Sequence, residues 1–163
     1  MIVLGIDPGL KNTGWGVIEQ QGSRFRCVAY GTVVTASHQT AAERLAEIHR
    51  AVTEVITRYG PNECAVESVY FGTNAQTAFA TGQARGVALL AASTLPIGEY
   101  GPAEIKMAVV GSGDADKRQV QYMVRAILGL AEEPKPDHAA DALAAAICHA
   151  NSRVARSRVE QVR

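Results

Sequence analysis

Residues 1–9, MIVLGIDPG, decide the kind of fold. Ile2, Val3, Leu4 and Ile6 form an apolar run that ends on a single acid, Asp7, and Pro8-Gly9 then turns the chain. That is the pattern of a short buried strand stopping at a turn. Working outward, "TGWGVIEQ" and "SRFRCVAYGTVV" read as two further strands, with the gap at Gly22 as a hairpin. From Thr40 to Tyr59, Leu45, Ile48, Val52, Val55, Ile56 and Tyr59 recur at helical spacing, and Gly60-Pro61 ends the helix. "ECAVES" is a strand ending near Glu67, 74–93 an Ala- and Gly-rich helix, and "LPIGEY" a last short strand. Helices follow over about 102–110, around Val120, Met123, Val124 and Ile127, and over about 137–151. Three strands, then helix, strand, helix, strand and helices predict one mixed α/β domain over 1–151. The segment 152–163, with four arginines and one glutamate, is expected to be a basic, flexible tail.

The composition is that of an ordinary globule: 163 residues, 47% hydrophobic and 20% charged, with 16 basic against 16 acidic residues. No bulk positive field draws a polyanion, so any nucleic-acid binding must rest on local arrangement. Cys27, Cys64 and Cys148 are scattered and lack CxxC spacing, which fits reduced thiols. The N-terminus lacks the basic lead of a signal peptide, and no apolar run reaches 18 residues. These readings predict a cytoplasmic protein with no membrane partner.

Three acids stand where chemistry gathers. Asp7 and Glu67 close apolar strands, and in α/β sheets functional groups collect at strand carboxyl ends. In "PDHAAD", residues 136–141, His138 and Asp141 lie three apart at the start of a helix and share one face. Convergence of three carboxylates and an imidazole would call for divalent cations to relieve the repulsion. Taken singly, each residue has a plainer explanation: Asp7 as a turn former, Glu67 as an exposed strand end, His138 as a surface histidine. Asp137 is read as the helix N-cap.

Four blocks carry a family likeness: "VLGIDPGLKNTGWGVIE", "AVESVYFGTNAQTAFATGQARGVALLAA", "YGPAEIKMAVVGSGDADKRQVQYMVRAILGL" and "HAADALAAAICHA". Together, in this order, they resemble the RuvC Holliday junction resolvase family over residues 2 to about 150. The resemblance implies a ribonuclease H-like fold with a mixed five-stranded sheet flanked by helices. It implies an endonuclease that resolves four-way DNA junctions by paired nicks in recombination and repair, using two divalent cations, Mg²⁺ or Mn²⁺. Asp7, Glu67 and Asp141 match acidic ligands of the family. His138 stands where many members carry aspartate, so it is expected either to hold a metal or to take the attacking water's proton, and to favour Mn²⁺. Lys106 and Lys117 match basic residues of the active-site region, and Tyr70 and Phe71 fall at the base-stacking aromatics. The implied partners are junction DNA, a second copy of the chain as homodimer, and the RuvA and RuvB branch-migration complex.

Residues 68–98 carry no acid and only Arg85 as a charge, so phosphates can approach Glu67 without added repulsion. Actin-like and sugar-kinase ATPases share the "GIDPG" opening but need a second domain and a further phosphate loop. A non-catalytic DNA-binding module would not need these acids. A related nuclease acting on another branched DNA or on structured RNA is the nearest rival.

Overall fold

The computed structural model describes residues 1–68 and 75–160, with side chains through Arg153. Its five strands are β1 (Ile2–Asp7), β2 (Asn12–Gln21), β3 (Arg24–Val34), β4 (Glu63–Glu67) and β5 (Ile97–Tyr100). They form one sheet in the order β3-β2-β1-β4-β5. The first three strands meander antiparallel, while β4 and β5 add on parallel beside β1. The β2–β3 hairpin closes at Gly22-Ser23, where Gly22 takes φ +62, the left-handed conformation that two-residue hairpins favour at this position.

Five helices cover the sheet: α1 (Ala41–Tyr59), α2 (Ala75–Ala91), α3 (Pro102–Val110), α4 (Lys117–Leu128) and α5 (Asp137–Glu160). Helix α1 starts at a capping box of Thr40 and Glu43 and stops at left-handed Gly60, as its sequence signals predict. With α2 it buries one sheet face over Leu4, Ile6, Val17 and Val66. Helices α3, α4 and α5 bury the other face, over Val3, Ile18 and Ala65.

The composition of α5 follows from how closely it lies on the sheet. Ala139, Ala140, Ala142, Ala144, Ala145 and Ala146 are all fully buried, so the helix rests backbone-close on β1 and β2. A Cβ added at Gly5 would overlap the Ala142 carbonyl oxygen, and one at Gly14 would overlap that of His138. Glycine on the strands and alanine on the helix are therefore one packing device. The helix also departs from expectation at its far end: it continues past residue 151 to Glu160, through the segment expected to be a loose tail.

Candidate active site

Register puts two acids side by side. Because β1 and β4 are parallel with Ile6 opposite Val66, Asp7 and Glu67 end their strands at the same level. Asp7 also pairs across β2 with Gly14, whose bare backbone is where α5 touches down at His138. The imidazole therefore arrives over Asp7, with Nδ1 at 2.8 Å from Oδ2. One turn on, Asp141 completes a group of three. Ligand atoms of Asp7, His138 and Asp141 all lie within 4.8 Å of one another, the one cluster of this kind among the described residues.

Glu67 stands beside this triad but is not part of it. It shares a hollow of about 180 Å³ with Asp141, Lys106 and Lys117. Burial pushes its carboxyl up to about 8, and the negative charges of Asp7 and Asp141 add to the rise. Asp7 is raised by burial and by Asp141, with the hydrogen bond from His138 working the other way. Burial raises Asp141 too, partly offset by the Lys117 ammonium. Three carboxyls all displaced upward mark a site that holds negative charge at an energetic cost.

Lys117 offsets part of that cost. Its Nζ sits 3.4 Å from Asp141 and 3.2 Å from Asp137. It is the first residue of α4, after the Asp116 cap, where the helix dipole disfavours a cation. The two carboxylates outweigh both that field and the downward push of burial, so its pKa is raised.

Asp137 corrects the sequence reading. It is the first residue of α5 and not the residue preceding the helix. It binds Lys117 and accepts a hydrogen bond from Gln121 at 3.0 Å, tying α4 to α5. Lys106, on α3, lines the same hollow as Glu67, Lys117 and Asp141. Tyr70 and Phe71 lie outside the described residues. Sequence reasoning passed over Gly14, although alternating Gly14 and Gly16 in β2 signal a backbone lying close above. It also passed over Arg44 and Lys11, which look like solvated charges until the fold sets them beside His138.

The donor set suits hard divalent cations: carboxylate oxygens with one imidazole, and no thiolate. A cation among these groups would stabilise their charged forms against the burial that now holds the carboxyls above their usual range.

The chain is similar to known proteins in sequence and in fold. The family model described as Crossover junction endodeoxyribonuclease RuvC matches residues 3–149. A protein of that name from Rubrobacter xylanophilus is 52% identical over 153 residues, covering 93% of this chain and 86% of its own length. One from Alkaliphilus oremlandii is 49% identical over 154 residues, covering 93% of this chain and 94% of its own. In space, the chain is similar to T. thermophilus RuvC in complex with Holliday junction substrate, with TM-score 0.89, 42% identity, and 94% of each chain covered.

Proposed function

Because the chain belongs to the crossover junction endodeoxyribonuclease RuvC family, we propose that it resolves four-way DNA junctions by paired symmetric nicks, hydrolysing phosphodiesters with two divalent cations, Mg²⁺ or Mn²⁺. The observation that carries the reading is the meeting of Asp7, His138 and Asp141 within 4.8 Å, with Glu67 closing the same site from β4. Bound there, the cations supply Lewis acidity, a water of lowered pKa and stabilisation of the leaving 3′ oxygen. Asp7 would be the ligand shared by the cations, with Glu67 and Asp141 each helping to hold one of them.

The residues do the rest. Asp7 orients the His138 ring through Nδ1, leaving Nε2 to serve as a ligand or to accept a proton. Lys117, paired here with Asp137 and Asp141, and Lys106, which lines the same hollow, would supply positive charge to the scissile phosphate. Of the two family-matched aromatics Tyr70 and Phe71, Tyr70 is the preferred stacker on a base at the junction centre.

A junction with two-fold symmetry requires two matched sites, and a two-fold dimer supplies them. Helix α2 carries a stripe suited to pairing with its twin: Phe79 and Leu90 are 68% and 64% exposed, with Gly82 and Gly86 between them at helical spacing. RuvA and RuvB are the partners by family, and the cytoplasm is the place of action. No described helix is long and apolar enough to cross a membrane.

The test compares synthetic four-way junctions with linear duplex and structured RNA, in Mg²⁺, in Mn²⁺ and in chelator. Symmetric nicks in two like-polarity strands of the junction are expected, with no product in chelator. Cleavage of RNA or of duplex at the same rate would transfer the site to another substrate.

His138 gives a second expected result. Imidazole suits Mn²⁺ better than an all-oxygen shell does, so His138→Asp should lower the Mn²⁺-to-Mg²⁺ ratio of cleavage rates several-fold. An unchanged ratio would assign the ring to proton transfer instead.

A further inference from the structure

A second hollow, of about 360 Å³, is lined in part by His138, one of the three residues of the Asp7–His138–Asp141 cluster. It lies between the β1–β2 turn, α1 and the start of α2. Its chemistry is the reverse of that cluster's. Lys11 and Arg44 supply positive charge, Asn12, Gln76 and Thr81 supply amide and hydroxyl groups, and among the described residues no carboxylate lines it.

Arg44 is held as a built component. Buried Thr35 donates its hydroxyl proton to the Leu10 carbonyl at 2.6 Å and accepts a hydrogen bond from Arg44 Nε at 2.8 Å. The Thr35 amide donates to the Lys11 carbonyl at 3.0 Å. One threonine thus fixes both the guanidinium and the turn that carries the lysine. With Nε occupied, the two terminal nitrogens of Arg44 remain for another acceptor. Among the described residues no carboxylate pairs with Arg44 or with Lys11. A half-buried guanidinium with a fixed orientation and no counter-charge is matched to an incoming anion, and a planar fork suits phosphate oxygens.

We infer that this hollow is a phosphate-binding subsite for the cleaved strand, in which Arg44 and Lys11 grip a phosphodiester flanking the scissile one. The inference rests on the nuclease reading above: a strand whose scissile phosphate lies at Asp7 and His138 must continue on one side or the other, and this donor-lined opening adjoins them. Such contacts position the strand without reading its sequence.

The test uses Arg44→Gln, which can still donate to Thr35 but carries no charge, and Lys11→Ala, which leaves the Thr35 bridge untouched. Junction binding is measured in chelator as a function of salt. Each lost phosphate contact should reduce the slope of log affinity against log salt by about 0.7–1 and weaken binding roughly 3–10-fold, equally for junctions of different sequence. Arg44→Lys should keep most of the slope. A scan of single methylphosphonate substitutions around the scissile position should find one site where neutralising the strand weakens the wild type but adds nothing to the Arg44→Gln defect.

A mere brace for the β1–β2 turn would leave the slope intact in both variants and make every methylphosphonate effect additive, and that result overturns the inference. So would displacement of inorganic phosphate as the only effect: phosphate competing at constant ionic strength in the wild type but not in Arg44→Gln, with the methylphosphonate scan flat, marks a free-anion site. Should the wild type itself not cleave junctions, the nuclease reading fails. Should it cleave them while both variants bind with unchanged slope, only the subsite fails.

Discussion

Asp7→Asn is expected to lower single-turnover junction cleavage by roughly 10³-fold or more, a loss of about 4 kcal/mol of transition-state stabilisation. Binding of the junction should stay within a few-fold of wild type. The substitution is close to isosteric, so the end of β1 keeps its shape. The amide oxygen can still accept the bond that His138 Nδ1 makes to Asp7 at 2.8 Å. Only the charge disappears, and with it one of the two carboxylates of the cluster with His138. A loss that falls on the rate alone is the mark of a group acting in the transition state. Removing a negative charge beside the DNA strand can even tighten binding. Cleavage within tenfold of wild type, in Mg²⁺ and Mn²⁺ alike, would show that Asp7 holds no cation needed for the reaction.

The sequence made the two strand-end acids legible because each closes an otherwise apolar run, where a charge cannot be a packing residue. The parallel register of β1 and β4 then fixes their meeting. What α5 does was less legible. Its alanines have no polar-apolar alternation to announce which side faces the sheet, and its placement depends on Gly5 and Gly14, which precede it in sequence by more than a hundred residues. Asp137 was misread for a related reason. A helix-start aspartate normally serves the nearest amides, but here Lys117, brought in on α4, competes for it and wins. The charge of Arg44 likewise acquires meaning only from Thr35, which delivers it to the β1–β2 turn. Local pattern reports which residues are unusual. Only the packing of distant elements reports what they touch. Glu67 shows the limit from the other side: it closes β4 beside Asp7, yet it stands apart from the tight triad and lines a hollow with Asp141.

In chelator, the wild type is expected to lose stability relative to Glu67→Gln as pH rises from about 4.5 to about 8. The sign follows from the direction of the shift. The Glu67 carboxyl titrates near its ordinary value of 4.5 when unfolded but at about 8 when folded. Between those values the folded state binds more protons, so unfolding becomes easier with each step upward in pH. The stability is present in full below the lower value and is lost as pH passes through the upper one. A displacement of that size, discounted for partial exposure and for coupling to Asp7 and Asp141, corresponds to about 2–4 kcal/mol. Glu67→Gln removes the titration, so the gap between mutant and wild-type melting temperatures should widen with pH. Asp7 and Asp141 are raised as well and remain in both proteins, which is why the difference is the quantity to measure. Adding Mg²⁺ or Mn²⁺ should reverse the order at pH 8. A cation at 100 times its Kd stabilises the folded state by about 2.7 kcal/mol, and the mutant, with one ligand fewer, gains less. A gap independent of pH, or a metal response equal in the two proteins, would mean that Glu67 neither feels the other carboxylates nor helps to hold the ion. The stability sacrificed without metal is then the same quantity that makes the site selective for it: carboxyls crowded past their comfort release free energy only to a ligand of opposite charge.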